Sequence, residues 1–211
     1  MSDRWSAVVP IRPWWLAPDS LGDSPEERIR LARALALDTL DTLAGVESVH
    51  HTVVVTADRE ATFYARRLGM TVLADRPLLS LDPINEALRL GVRWVGARYP
   101  DAPVVVIPAD LAGATAACID AAIDVLDGYD DAFVPDALGL GTSMMTTRSP
   151  RSFTSTYGAG SAINHSRAGL RAVSGVDRRL RQDVDSRADL VSVSGWDLGP
   201  LVTQELERAS A

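Results

Sequence analysis

Short apolar runs alternate with amphipathic stretches along the first two thirds of the chain. Residues 7–11 (AVVPI), 52–56 (TVVVT), 71–74 (TVLA), 103–107 (PVVVI) and 132–134 (AFV) are bounded by turn or helix signals and predict strands. The run at 104–107 is continuously apolar, as expected of a strand covered on both faces. Residues 25–43 predict a helix. Ser24 stands at the cap, Pro25 at the first helical position, and Ile29, Leu31, Leu35, Leu37, Leu40 and Leu43 recur at near-helical spacing. Residues 58–68 predict a shorter helix stopped by Gly69, 82–97 one opened by Asp82-Pro83, and 113–126 an Ala-rich helix ending near Gly128. Strands alternating with helices imply βαβ units, so the pattern predicts a three-layer α/β fold of the nucleotide-binding type. After Pro135 the pattern changes. Glycines and hydroxyls dominate 139–161, which reads as a site-forming excursion over the sheet, and 186–209 reads as one or two helices packing back.

The length, 211 residues, fits a single domain spanning 1–211. With 46% hydrophobic and 23% charged residues the chain has the make-up of a folded domain. A formal charge of −7 argues against a general binder of nucleic acid or of anionic membranes. All 21 basic residues are arginine. A Walker-type lysine, a Schiff-base lysine and a lysine phosphate clamp are thereby excluded. Any phosphate must be held by arginine, by backbone N–H groups or through a metal. The single cysteine, Cys118, lies in an Ala-rich helical stretch and is expected to be buried. Neither a signal-peptide run nor an apolar stretch approaching the ~20 residues of a membrane span is present, so a cytoplasmic location is expected.

Asp110 follows the most apolar strand, and ligands of open α/β sheets bind beyond the carboxyl ends of strands. A carboxylate there can hold Mg²⁺ that carries nucleotide phosphates, or it can simply cap the helix beginning near Gly113. Asp183-Val184-Asp185 puts two carboxylates on one face if extended, which suits a divalent cation; the alternative is a turn in which Asp185 caps the helix at 186–190. Residues 156–162 (TYGAGSA) can form an anion-binding backbone nest, or a tight turn with Ser161 as cap, and His165 would fall in the first helical turn. Residues 139–143 (GLGTS) offer close backbone approach and two hydroxyls, but by themselves fit a hairpin turn. Arg12, at the end of the first strand, could grip a triphosphate. Trp14-Trp15 either stack on a base or pack an apolar edge, and His50-His51 read as a surface turn before a strand.

Taken in order, these pieces resemble a family. Val9-Pro10-Ile11-Arg12-Pro13, Asp82-Pro83-Ile84-Asn85-Glu86-Ala87-Leu88, Ala109-Asp110-Leu111, Phe133-Val134-Pro135-Asp136 with Gly139-Leu140-Gly141-Thr142, Tyr157-Gly158-Ala159-Gly160-Ser161-Ala162-Ile163-Asn164-His165, and Leu180-Arg181-Gln182-Asp183-Val184-Asp185 are similar to the 2-phospho-L-lactate / phosphoenolpyruvate guanylyltransferases of deazaflavin-coenzyme biosynthesis. The resemblance spans about residues 7 to 200, and its specificity lies in the ordered set. It implies a nucleotide-diphospho-sugar transferase-like, Rossmann-like fold with a mixed, mostly parallel sheet. The implied reaction is attack by a small phosphorylated acid (phosphoenolpyruvate, 2-phospho-L-lactate or 3-phosphoglycerate) on the α-phosphate of GTP. It further implies Mg²⁺ on Asp110, Asp183 and Asp185, the acid on Thr142, Gly158 and Ser161, and Asn85 near the guanine or ribose. Arg12 stands where the family typically carries lysine, Thr156 where it carries arginine and Ala159 where it carries proline. Two other readings fit the residues: a nucleotidyltransferase with another nucleotide or acceptor, and a non-catalytic relative that binds a ligand or partner. Trp14-Trp15 and the helix bearing Trp94 could serve a homodimer.

Overall fold

The computed structural model describes residues 5–209. Its strands are β1 (Trp5–Ile11), β2 (Val49–Thr56), β3 (Thr71–Ala74), β4 (Val104–Val106), β5 (Asp131–Pro135), β6 (Thr142–Thr147) and β7 (Arg171–Ala172). The helices are α1 (Pro25–Ala44), α2 (Arg59–Arg67), α3 (Pro83–Arg98), α4 (Ala116–Leu126), α5 (Ser161–Arg167), α6 (Arg187–Val193) and α7 (Pro200–Ala209). The strands form one sheet in the order β3-β2-β1-β4-β6-β5-β7. Pairing is parallel except at β6, which runs antiparallel to both β4 and β5. This is a mixed, mostly parallel α/β sheet, as expected.

The side-chain alternation of β1 builds the three layers. Ala7, Val9 and Ile11 face one way and join α1, α2 and α4; Val8 faces the other way and joins α3 and the start of α5. A third apolar cluster seals α6 and α7 onto the flank of α1 through Leu31, Leu35, Leu190, Val193 and Val202. Val184 belongs to that cluster, so packing fixes the segment that carries Asp183 and Asp185.

Several details differ from the sequence reading. The stretch at 139–161 is not wholly an excursion: residues 142–147 (TSMMTT) form the buried strand β6, inserted between β4 and β5. Its threonines favour a strand, but burial on both faces removes the polar–apolar alternation that marks one, and no continuous apolar run replaces it. Residues 139–141 belong to the hairpin connection into that strand, and Thr142 and Ser143 are its first two residues. His50 and His51 lie within β2 rather than in a turn before it, and His51 stacks on Tyr99. Helix α4 starts at Ala116, with Thr115 capping it by accepting the Cys118 N–H, and Cys118 is buried as expected. Trp14 is buried in the core and is not available as an interface; Trp15 is exposed.

Candidate active site

β4 delivers Asp110 to the carboxyl end of the sheet, beside Arg12 at the end of β1. A cavity of about 420 Å³ opens there, lined by Arg12, Asp75, Asp110 and Asp185 among apolar residues from the first loop, α1 and the start of α3. The 183–185 segment is tied to the same point, because the Val184 N–H donates to the Asp110 carbonyl (3.1 Å) and the Ser20 hydroxyl to the Asp185 carbonyl (2.7 Å). With Val184 buried, period-two alternation turns Asp183 and Asp185 away from the core together.

Neither carboxylate is explained by capping. Thr115 caps α4 and Ser186 caps α6, so the helix-cap alternatives for Asp110 and Asp185 do not hold. Ser161 is likewise the first residue of α5, after Gly160. Asp110 Oδ1 is buried without a hydrogen-bond partner among the described residues. Burial, then the charges of Asp185 and Asp183, push the Asp110 carboxyl up to about 8, against an opposing pull from Arg12. Burial pushes Asp183 up to about 6, with Asp185 and Asp136 adding repulsion, and Asp185 is raised as well. Three mutually repelling carboxylates, one with an orphaned oxygen, make a site that a cation would relieve. Among the described residues no group of three His, Cys, Asp or Glu side chains, these carboxylates included, is gathered so as to hold a metal ion by itself. A divalent cation held here would have to complete its shell with water and substrate phosphates, as Mg²⁺ does on one or two carboxylates.

A buried hydroxyl cluster lies toward the same end of the sheet, although Thr142, Gly158 and Ser161, like Asp183, are not among the residues lining the cavity. β6 runs antiparallel to β4 with Met145 opposite Val106, so Thr142 sits three residues farther toward the end where Asp110 emerges. The Ser161 hydroxyl donates to Thr142 Oγ1 at 3.2 Å, and His165 Nδ1 lies 2.9 Å from the same oxygen. His165 Nε2 accepts the Thr156 N–H (3.0 Å), which fixes the neutral ring with its proton on Nδ1, donating to Thr142. Burial between Phe133 and Tyr157 pushes His165 down to about 4 and keeps it neutral. Thr142 Oγ1 therefore accepts two hydrogen bonds, and its own proton is left to donate. His165 sits a turn deeper in α5 than the sequence suggests, and it orients rather than ligates.

Gly158 and Gly160 adopt positive φ (127° and 69°), which favours glycine at both positions. The nest is only partly available: the Ser161 and Ala162 N–H groups are bonded to the Gly158 and Leu140 carbonyls. Asn85 does not line the cavity. Its amide is committed to the Tyr157 backbone on both sides (2.9 Å each) and to Asp82, so it positions the Tyr157–Gly158 turn instead of meeting a base. The Asp82 carboxylate thus takes a side-chain amide and not a helix N–H. Sequence reasoning missed Arg181, whose guanidinium holds the Pro135 and Asp136 carbonyls and locks the hairpin to the carboxylate segment. It also missed Asp75, which only the cavity brings into view.

The sheet order, and a carboxylate cluster at the crevice beyond its strands, are those of a nucleotidyltransferase. Solved structures bear this out at the level of fold. A protein described as a nucleotide-diphospho-sugar transferase, from Desulfovibrio desulfuricans G20, superposes with a TM-score of 0.72 at 18% identity, over 99% of this chain and 96% of that one. A 4-diphosphocytidyl-2C-methyl-D-erythritol synthase does so with a TM-score of 0.60 at 13% identity, over 90% and 97%. The family model "Guanylyl transferase CofC like" matches residues 7–191. The phosphoenolpyruvate guanylyltransferase of Streptomyces coelicolor is 33% identical over 205 residues, 93% of each chain. Its counterpart in Thermomonospora curvata is 33% identical over 199 residues, 93% of this chain and 86% of the relative. The chain belongs to the CofC-like guanylyltransferase family.

Proposed function

We propose that the chain transfers the guanylyl group of GTP to the phosphate of a small three-carbon acid, phosphoenolpyruvate first among the candidates, and releases pyrophosphate. The acceptor preference is that named for its relatives, and a role in making deazaflavin coenzyme is what the resemblance of the ordered motifs implies. The observation that carries the reading is the buried, partnerless Asp110 oxygen beside Asp183, Asp185 and Arg12 at the mouth of the cavity.

An acceptor phosphate oxygen attacks the α-phosphorus, the α–β bridging bond breaks, and pyrophosphate leaves with the electron pair. The nucleophile is already anionic, so no strong general base is needed; alignment and charge neutralisation are. Asp110, Asp183 and Asp185 would hold Mg²⁺, which when bound supplies Lewis-acid neutralisation of the phosphates. Arg12 is the cation that lines the cavity, and it takes the triphosphate in a chain without lysine. Thr142, with its proton left free by His165 and Ser161, donates to the acid's phosphate or carboxylate beside the Gly158 turn. The test is pyrophosphate release with Mg²⁺, each NTP being paired with phosphoenolpyruvate, 2-phospho-L-lactate and 3-phosphoglycerate. Release with GTP and one acid is expected. Silence in every pairing from cooperatively melting protein refutes the reading.

A further inference from the structure

The cavity carries one acid that the phosphate chemistry does not use. Asp75 follows Ala74, the last residue of β3, and its N–H donates to the Thr56 carbonyl (3.0 Å), so it prolongs the sheet edge. Its Oδ1 takes the Arg76 N–H at 2.7 Å. No arginine pairs with it among the described residues, and Pro77, Leu78 and Ile84 line the cavity beside it. This half-buried carboxylate, raised by burial with Glu86 adding repulsion, keeps capacity for further donors from the cavity side. The sheet order places β3 three strands from β4, about 14 Å at ~4.8 Å per strand. That is the scale of a nucleoside 5′-phosphate laid across the strand ends, with the α-phosphate at Asp110 and the base at Asp75. Asn85, the sequence's candidate for that contact, is already committed to Tyr157.

We propose that Asp75 reads the base of the nucleotide, accepting the N1–H and N2–H of guanine side by side. Guanine alone among the four bases presents two adjacent donors on one edge. Adenine would turn the N1 lone pair toward the carboxylate, and pyrimidines offer at most one donor between or beside acceptors. Each carboxylate oxygen accepts more than one hydrogen bond, so the Arg76 contact leaves room for both. The inference rests on the guanylyl reading above and adds to it the residue that selects the base.

The test is Asp75→Asn assayed with GTP and xanthosine triphosphate, and the unaltered protein with GTP and inosine triphosphate. Asparagine still accepts N1–H but turns an N–H₂ toward position 2, matching the xanthine carbonyl. Asp75→Asn should lose at least about 10²-fold in kcat/KM with GTP and prefer xanthosine triphosphate. Inosine triphosphate, lacking the 2-amino donor, should cost the unaltered protein about 10- to 100-fold. The same ranking should appear in nucleotide affinities measured by calorimetry without acceptor. The assignment is overturned if the variant melts normally yet keeps its GTP preference, or loses both nucleotides alike. It is equally overturned if the unaltered protein takes inosine and guanosine triphosphates equally well. Turnover by the unaltered protein with a different nucleotide alone would instead show that the guanylyl reading failed.

Discussion

Asp110 is where burial and charge conflict most sharply. Its carboxyl is raised to about 8 in the fold, so the protonated form is favoured there relative to the unfolded chain. That contribution is complete at low pH and is lost as pH rises toward 8. Asp110→Asn should therefore melt no lower than the unaltered protein in metal-free buffer at pH 8, and should lose turnover by about 10³-fold or more with saturating Mg²⁺. A differential scan and a pyrophosphate assay on one preparation check both halves. His165 has the opposite sign. Its folded-state value, about 4, lies below the ordinary 6.5, so its contribution is whole above pH 6.5 and disappears as pH falls through 4. His165→Ala removes a buried ring and orphans the Thr156 N–H, at a cost of about 2–4 kcal/mol in denaturant titrations. The KM for the acid should rise while that for the nucleotide holds, and His165→Asn, with an N–H toward Thr142, should recover part of it. The carboxylates, glycines and hydroxyls of the site were all visible as residues. Their states were not, because a pKa or a tautomer depends on neighbours distant in sequence, such as Thr156 beside His165.

At the scale of elements, the helix signals proved legible where they are local. Ser24 accepts the Glu27 N–H and Asp58 accepts the Glu60 and Ala61 N–H groups, as cap residues should. Strand β6 was not legible, since its residues carry neither alternation nor a β-branched apolar run. Helix α3 lies against β1 so closely that a Cβ on Gly91 would come within 2.5 Å of Val8 Cγ1. Gly91→Ala should cost about 1–3 kcal/mol and lower the Tm by about 3–10 °C. Because α3 also carries Asn85, which props the Tyr157–Gly158 turn, the same variant should weaken acid binding more than nucleotide binding. Separate KM titrations of the two substrates check this.

At the scale of the molecule, the site is assembled from β1, β4, the β5–β6 hairpin, the turn before α5 and the 183–185 segment. Mg²⁺ should then couple to global stability. At the proposed metal site protons would compete with the cation at Asp110 and Asp183, whose values are raised to about 8 and 6. The Tm gain produced by Mg²⁺ should grow from pH 5 to pH 8, while the His165 contribution cancels between the two arms. A gain that is flat across this range would dissociate these carboxylates from the metal.

By itself the sequence determined the alternation of strands and helices, the exclusion of lysine-based phosphate chemistry, and the ordered motifs that mark the family. Those are properties of spacing and residue type, and they survive in one dimension. Tertiary structure decided the rest. It inserted β6 antiparallel between parallel strands, withdrew Asn85 from the cavity and brought Asp75 into it. It also set Asp110 beside two carboxylates more than seventy residues away. Burial, electrostatic coupling and hydrogen-bond commitment depend on distance through space, which separation along the chain does not encode.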